Sequence, residues 1–290
     1  MLKHILPSLV IGWLAVSRLA GQTSCDCLAE FAFVAEKLEK EHPGFAMQVR
    51  GAYRDVYAHR KDSIEMEIRN RQPERAECVK LLGAYLGLIR DKHQRIYIPA
   101  PAPPEGKPDA SQPDNAPHLE LWGADTAYVR IPSFNYRLWR VLDHFYDSII
   151  PVLDTRGNLL IDVRGNGGGG ARMYMQLVKY LRKRAAHARV GLLADRGCAS
   201  ACEDFTLRMM REKHITTFGV NTNGCFAYGD IKAVTTPGCA FTWIITTSRF
   251  PDRYEYEYTG LPPEVDLGHL PPDRWPAEAL RQLTADAPVD

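Results

Sequence analysis

The chain has 290 residues, with 36 basic and 35 acidic side chains, and a formal net charge of +1. Apolar residues make up 45% and charged residues 24%, which excludes a disordered, collagen-like or polytopic membrane protein. The even charge balance argues against a dedicated nucleic-acid binder. Seven cysteines, an odd number, point either to an oxidising compartment with one thiol left over or to a metal or redox role.

Residues 1–22 read as a secretory signal peptide, with an uncleaved N-terminal anchor as the alternative. A basic start at Lys3 and His4 leads into an apolar stretch from Ile5 to Val16 and a small-residue exit at Ala20-Gly21. Its removal would take Lys3 and Arg18 and leave a charge of about −1. No other stretch is long and apolar enough to span a bilayer. The expected mature protein is therefore exported, to a periplasmic or extracellular space, with no membrane span.

Residues 23–98 carry helical periodicity. Leu28, Phe31, Ala35 and Leu38 share one face, and His42-Pro43-Gly44 ends that helix. Further helices are expected around Gly51 to Asn70 and Glu74 to Ile89, which together make a helical cap. Residues 99–118 hold seven of the 20 prolines and read as a linker. From 119 to 290 strands alternate with helices. Strands are expected at Ala127–Ile131, Asn158–Arg164, Arg189–Leu193 and Ile215–Val220, with helices at Leu138–Leu153, Ala171–Arg184 and Ser200–Lys213 between them. Two more strands, Ile231–Thr235 and Phe241–Ser248, suggest a hairpin. This is a layered α/β domain.

Three segments carry possible chemistry. Gly165-Asn166-Gly167-Gly168-Gly169-Gly170 joins a strand to a helix. It fits GxGxxG formally, but the acidic residue that a dinucleotide site needs some twenty positions on is missing, and no P-loop Gly-Lys-Ser/Thr closes it. Its bare amides suit an oxyanion hole, or the glycines serve only the turn's dihedral freedom. In Gly197-Cys198-Ala199-Ser200-Ala201-Cys202-Glu203, a serine with small neighbours stands where a strand meets a helix. Ser200 can be a nucleophile or an N-cap, since Glu203 completes a capping box, and the two readings are compatible. His93 follows Asp91-Lys92 at a helix-to-strand junction, a position open to a general base. Neither HExxH nor paired CxxC is present, so no metal and no cofactor is expected.

Together these segments resemble the C-terminal processing peptidase (tail-specific protease) family of serine peptidases. Asn158 to Gly170 looks like that family's strand and oxyanion loop, and Cys198 to Phe205 like its nucleophile segment. The resemblance implies a crotonase/Clp-like layered catalytic domain, peptide or protein substrates, and an oxyanion hole built from Gly167, Gly168 and Ala201. Two departures matter. The loop that carries the family's catalytic lysine matches Gly219 to Phe226, where Cys225 stands in the lysine position. No PDZ module fits between cap and core. The resemblance then shifts to the tricorn-type arrangement, with Ser200 as nucleophile, His93 as base and Glu257 supporting the histidine directly or through a bridging group. On sequence pattern alone, Glu257 would be an exposed strand residue among Tyr254, Tyr256 and Tyr258. Asp162 and Arg164 are expected to support the loop, and Glu203 the nucleophile turn. Cys225 and Cys239 flank the hairpin and are expected to pair, with a stabilisation of about 3 kcal/mol. Cys27 is expected to pair with Cys78. Cys198 and Cys202 can pair with each other, and Cys25 is left over. The alternative from another class is a non-catalytic binding module for small hydrophobic ligands on the same fold.

Overall fold

The computed structural model describes residues 25–100 and 116–285. The expected signal peptide and nearly all of the proline-rich stretch lie outside them. The cap begins with α1 (Cys27–Glu41), whose N-terminus is closed by the Asp26 carboxylate accepting from the Leu28 and Ala29 amides. His42-Pro43-Gly44 turns the chain into a short α2 (Phe45–Gln48), followed by α3 (Ala52–Arg71) and α4 (Arg75–Leu86). A turn through residues 87–94 leads to β1 (Arg95–Tyr97).

The core domain is a six-stranded sheet. β2 (His118–Trp122) runs antiparallel to β3 (Thr126–Arg130). Parallel neighbours follow, with α5 (Trp139–Leu153), β4 (Asn158–Asp162), α6 (Arg172–Arg184), β5 (Arg189–Ala194), α7 (Ala201–Met210) and β6 (Ile215–Gly219) in succession. The chain then forms the antiparallel pair β7 (Tyr228–Thr235) and β8 (Thr242–Arg249), adds β9 (Val265–Asp266) beside β6, and ends in α8 (Trp275–Ala285). Alternation along the strands sorts the two faces. Ala127, Val129, Leu159 and Ile161 pack with Leu142, Leu177 and Phe205 of α5, α6 and α7. Tyr128, Leu160 and Leu193 pack with Trp275, Ala279 and Leu283 of α8. The result is the layered α/β architecture expected from the strand–helix alternation.

The β7–β8 pair does not extend this sheet. It pairs with β1, through Arg95 opposite Ile244, and its Trp243 and Ile245 share a buried core with Phe31, Leu38, Leu82 and Tyr85 of the cap. The cap is therefore completed by residues from the C-terminal third of the chain.

The disulfides correct one expected pair. Cys27–Cys78 forms, joining α1 to α4, and Cys198–Cys202 forms across the nucleophile turn. Cys239 pairs with Cys25, and Cys225 is a free, buried thiol. The reason is geometric. Cys239 lies in the turn of the hairpin, whereas Cys225 precedes the far end of β7, and eight strand residues at roughly 3.3 Å each hold the two apart.

Candidate active site

Ser200 caps α7 with a φ of +55°, a left-handed backbone that a non-glycine residue adopts only when its surroundings hold it there. Two things hold it. The Cys198–Cys202 disulfide bridges the residues two before and two after it. Glu203, fully buried, accepts from the Ser200 amide at 3.0 Å, from Thr222 Oγ1 and the Gly224 amide at 2.6 Å each, and from the Cys225 amide at 2.8 Å. Burial pushes the Glu203 carboxyl up, and these donors pull against it, leaving a net rise. Glu203 thus ties the nucleophile turn to the 222–225 loop.

Opposite this turn lies the glycine run. Here a side chain is excluded by contact: a Cβ on Gly168 would stand 2.5 Å from the Ala199 carbonyl oxygen and 2.9 Å from the Ala201 nitrogen. The Gly168 amide donates to Asn166 Oδ1 at 2.9 Å, so the expected trio of oxyanion donors narrows to Gly167 and Ala201. Asn166, absent from the sequence-based candidates, organises the loop. Its buried side chain also accepts from the Phe134 amide and donates to the Ile131 carbonyl. Asp162 and Arg164 form an ion pair at 2.6 Å below the loop. Arg164 continues to the Pro272 carbonyl and lies over the Trp275 ring, which links the loop base to α8.

His93 reaches Ser200 across 107 residues of sequence. Its Nε2 stands 3.0 Å from Ser200 Oγ. Its Nδ1 is buried without a hydrogen-bond partner and lies 3.7 Å from Asp91 Oδ1. Asp91 is the carboxylate beside the imidazole, and sequence reasoning passed over it because its partners come from distant segments. It accepts from the His93 amide at 2.9 Å and from Thr246 Oγ1 of β8 at 2.6 Å, and it meets His42 Nε2 at 3.0 Å. The Gly44 amide donates to His42 Nδ1, which leaves His42 Nε2 as the donor to Asp91. Burial pushes the Asp91 carboxyl up, but the hydrogen bonds from His42, His93 and Thr246 outweigh it and hold it well below the usual carboxylate range.

Glu257 is buried, not exposed. Residues Pro251–Tyr256 form a 3-10 turn where an alternating strand was the simple expectation. Its carboxylate accepts from the amides of Lys92 at 2.9 Å, Phe226 at 3.1 Å and Ala227 at 2.9 Å. Among the described residues it makes no hydrogen bond to the His93 side chain. Glu257 clamps the segment that carries the histidine, and Asp91 faces the ring. Cys225, in the family's lysine position, has its thiol pushed up by burial and by the nearby Glu257 and Glu203 charges, so it remains protonated and cannot replace a basic amine.

A serine on a strained strand-to-helix turn, an imidazole at hydrogen-bond distance and free amides opposite define the machinery of a serine hydrolase. Residues 125–191 match the sequence profile of peptidase family S41. The match runs from the start of β3 into β5 and includes the glycine loop, one of the segments that carry the resemblance, and with the fold it supports a serine peptidase. No curated protein matches the sequence. Among solved structures, a lipoprotein from Streptococcus agalactiae is similar at 15% identity, with a TM-score of 0.58, covering 93% of this chain and 100% of that one. A photosystem II D1 C-terminal processing protease is similar at 14% identity and TM-score 0.51, covering 90% and 97%. Mature CPAF complexed with lactacystin follows at 10% identity and TM-score 0.54, covering 83% and 93%. At these identities the likenesses establish the fold.

Proposed function

We propose that the protein is an exported endopeptidase that cleaves peptide bonds by acyl transfer to Ser200. The observation that carries this reading is the 3.0 Å contact between His93 Nε2 and Ser200 Oγ. His93 takes the serine proton as Oγ attacks the carbonyl carbon and returns it to the leaving amine. Asp91 stabilises the imidazolium and orients Nδ1 toward itself, and the 3.7 Å gap between them closes as the substrate packs the site. The amides of Gly167 and Ala201 receive the oxyanion. Water then repeats the sequence on the acyl-enzyme. Glu257 serves as a clamp on the 90–93 segment through the Lys92 amide. Three disulfides among the described residues support an oxidising compartment, and no helix among them is long and apolar enough to cross a membrane. A purely ligand-carrying role would leave the Ser200–His93 contact without a purpose.

Ser200→Ala is expected to abolish both peptide cleavage and fluorophosphonate labelling while the circular dichroism spectrum and melting temperature stay near those of the parent. Undiminished cleavage by that variant would remove Ser200 from the mechanism.

A further inference from the structure

The charges around Ser200 are sorted by depth. Three carboxylates at the site, Asp91, Glu203 and Glu257, are 3%, 0% and 3% exposed and occupied by internal donors, and a fourth, the half-buried Asp195, accepts from the Gly165 and Gly197 amides. The exposed rim carries cations. On the histidine flank, Arg90 and Lys92 project beside Tyr258, with the guanidinium carbon 5.3 Å and the ammonium 6.0 Å from its ring centroid. Lys92 Nζ also donates to the Asn223 carbonyl, and the Asn223 amide donates to the carbonyl of Cys198, two residues before the nucleophile. On the flank of the glycine loop, the Tyr136 ring lies where a Cβ on Gly170 would strike it. Beyond it the Trp139 indole sits between Arg140 at 4.9 Å and Arg172 at 5.0 Å, and Arg137 is exposed beside them. None of these five cations belongs to an ion pair among the described residues. Tyr136, Trp139 and Tyr258 are 65%, 38% and 46% exposed, leaving aromatic faces open beside these cations.

A chain with a formal charge of +1 has no global reason to hold a cationic rim. Its placement on both flanks of one nucleophile does have a local reason, because unpaired guanidinium and ammonium groups over aromatic faces attract carboxylates and raise their local concentration. Building on the peptidase reading, we propose that the substrate is an acidic peptide segment. In this proposal Asp and Glu side chains on either side of the scissile bond meet Arg90 and Lys92 on one flank and Arg137, Arg140 and Arg172 on the other, while apolar residues between them lie on the exposed rings. Each exposed pair contributes about two- to fivefold in affinity, so several together give at least about tenfold. The interaction weakens as salt shortens the screening length.

The test uses the full chain carrying Ser200→Ala, which binds without turnover. Fluorescein-labelled decapeptides, amidated so that no chain terminus supplies a carboxylate, share one apolar centre and differ only in flanking Glu, Gln or Lys. Fluorescence anisotropy is expected to show the Glu peptide binding at least tenfold tighter than the Gln peptide at 50 mM NaCl, with the Lys peptide weakest. The advantage should fall severalfold at 500 mM NaCl. Adding Arg137→Glu with Arg140→Glu should weaken the Glu peptide at least fivefold, and Arg60→Glu on α3 should not. Equal or tighter binding of the Gln or Lys peptide, no binding of any peptide, a preference untouched by the charge reversals, or displacement by a single-stranded oligonucleotide in preference to the Glu peptide would each overturn the proposal. Fluorophosphonate labelling of the parent enzyme tests the nucleophile separately. Its loss would overturn the catalytic reading and leave the anisotropy result standing.

Discussion

Asp91 is held by three donors from three parts of the chain: the backbone of its own turn, the His42 ring of the cap and the Thr246 hydroxyl of β8. A carboxylate so held is ionised wherever the enzyme works. Asp91→Asn should lower kcat by about 10²- to 10⁴-fold with KM little changed, because the amide no longer stabilises the imidazolium. His42→Leu should reproduce part of that loss, and His42→Gln, which keeps a donor, should recover most of it. Steady-state kinetics on the three variants decide this, and an unchanged kcat in Asp91→Asn would remove the residue from the mechanism. Stability gives a second readout. A depressed folded value means that the contribution of Asp91 is present above the unfolded carboxyl value of about 3.9 and is lost as pH falls below it toward the folded value. The gap in urea midpoint between parent and Asp91→Asn should hold steady from about pH 7 to 5 and narrow below about pH 4. A gap that widened on acidification would contradict this sign. At this scale the sequence disclosed Ser200 and the glycines, whose meaning lies in their immediate neighbours. It hid Asp91 and Asn166, whose meaning lies in partners on other segments.

The glycine run and the nucleophile turn meet at several points, the Ala199 amide donating to the Asn166 carbonyl at 3.0 Å, and Gly168 is one of them. Its φ of +92° and the absence of room for a Cβ act together. Gly168→Ala should cost about 1–3 kcal/mol in stability and, by parting the loops, lower kcat/KM by 100-fold or more. Gly167→Ala, with open space around the position, keeps the amide and should be tolerated. Thermal melts and kinetics on the pair test this, and equal effects would show that the contact is not what fixes the loops. The strands and helices from 127 to 219 were legible because hydrophobic period and glycine punctuation agree there. Tyr254 to Tyr258 misled because alternating rings imitate a strand, whereas Pro251 opens a 3-10 turn that sinks Glu257 into the site. The disulfide of Cys239 misled for a related reason. Spacing along the hairpin carries no information about Cys25, which arrives from the other end of the chain.

The whole molecule is closed by the Cys25–Cys239 bond, with a sequence separation of 214 residues, beside a core that mixes α1 and α4 with β8. A loop of that length gives about 5 kcal/mol in the chain-entropy picture. The Cys25→Ser/Cys239→Ser double variant should melt roughly 10 °C lower by scanning calorimetry. A shift of a degree or two would mean that the buried aromatic and aliphatic packing alone holds the ends together. This closure was not legible in the sequence. The cap reads as a self-contained helical unit up to residue 98, and only the pairing of β1 with β8 shows where its missing wall comes from.

That wall also sets an order of events during synthesis. Chains emerge from the ribosome N-terminus first. The nucleophile turn and its Glu203 anchor are complete once residue 225 is available. The histidine segment must wait longer, since Asp91 takes a donor 155 residues downstream and Lys92 an acceptor 165 residues downstream. An unfinished polypeptide therefore carries a serine without a seated base. Under the proposed mechanism, a chain that ends before β8 is expected to be inactive, since Asp91 and Lys92 would lack these partners.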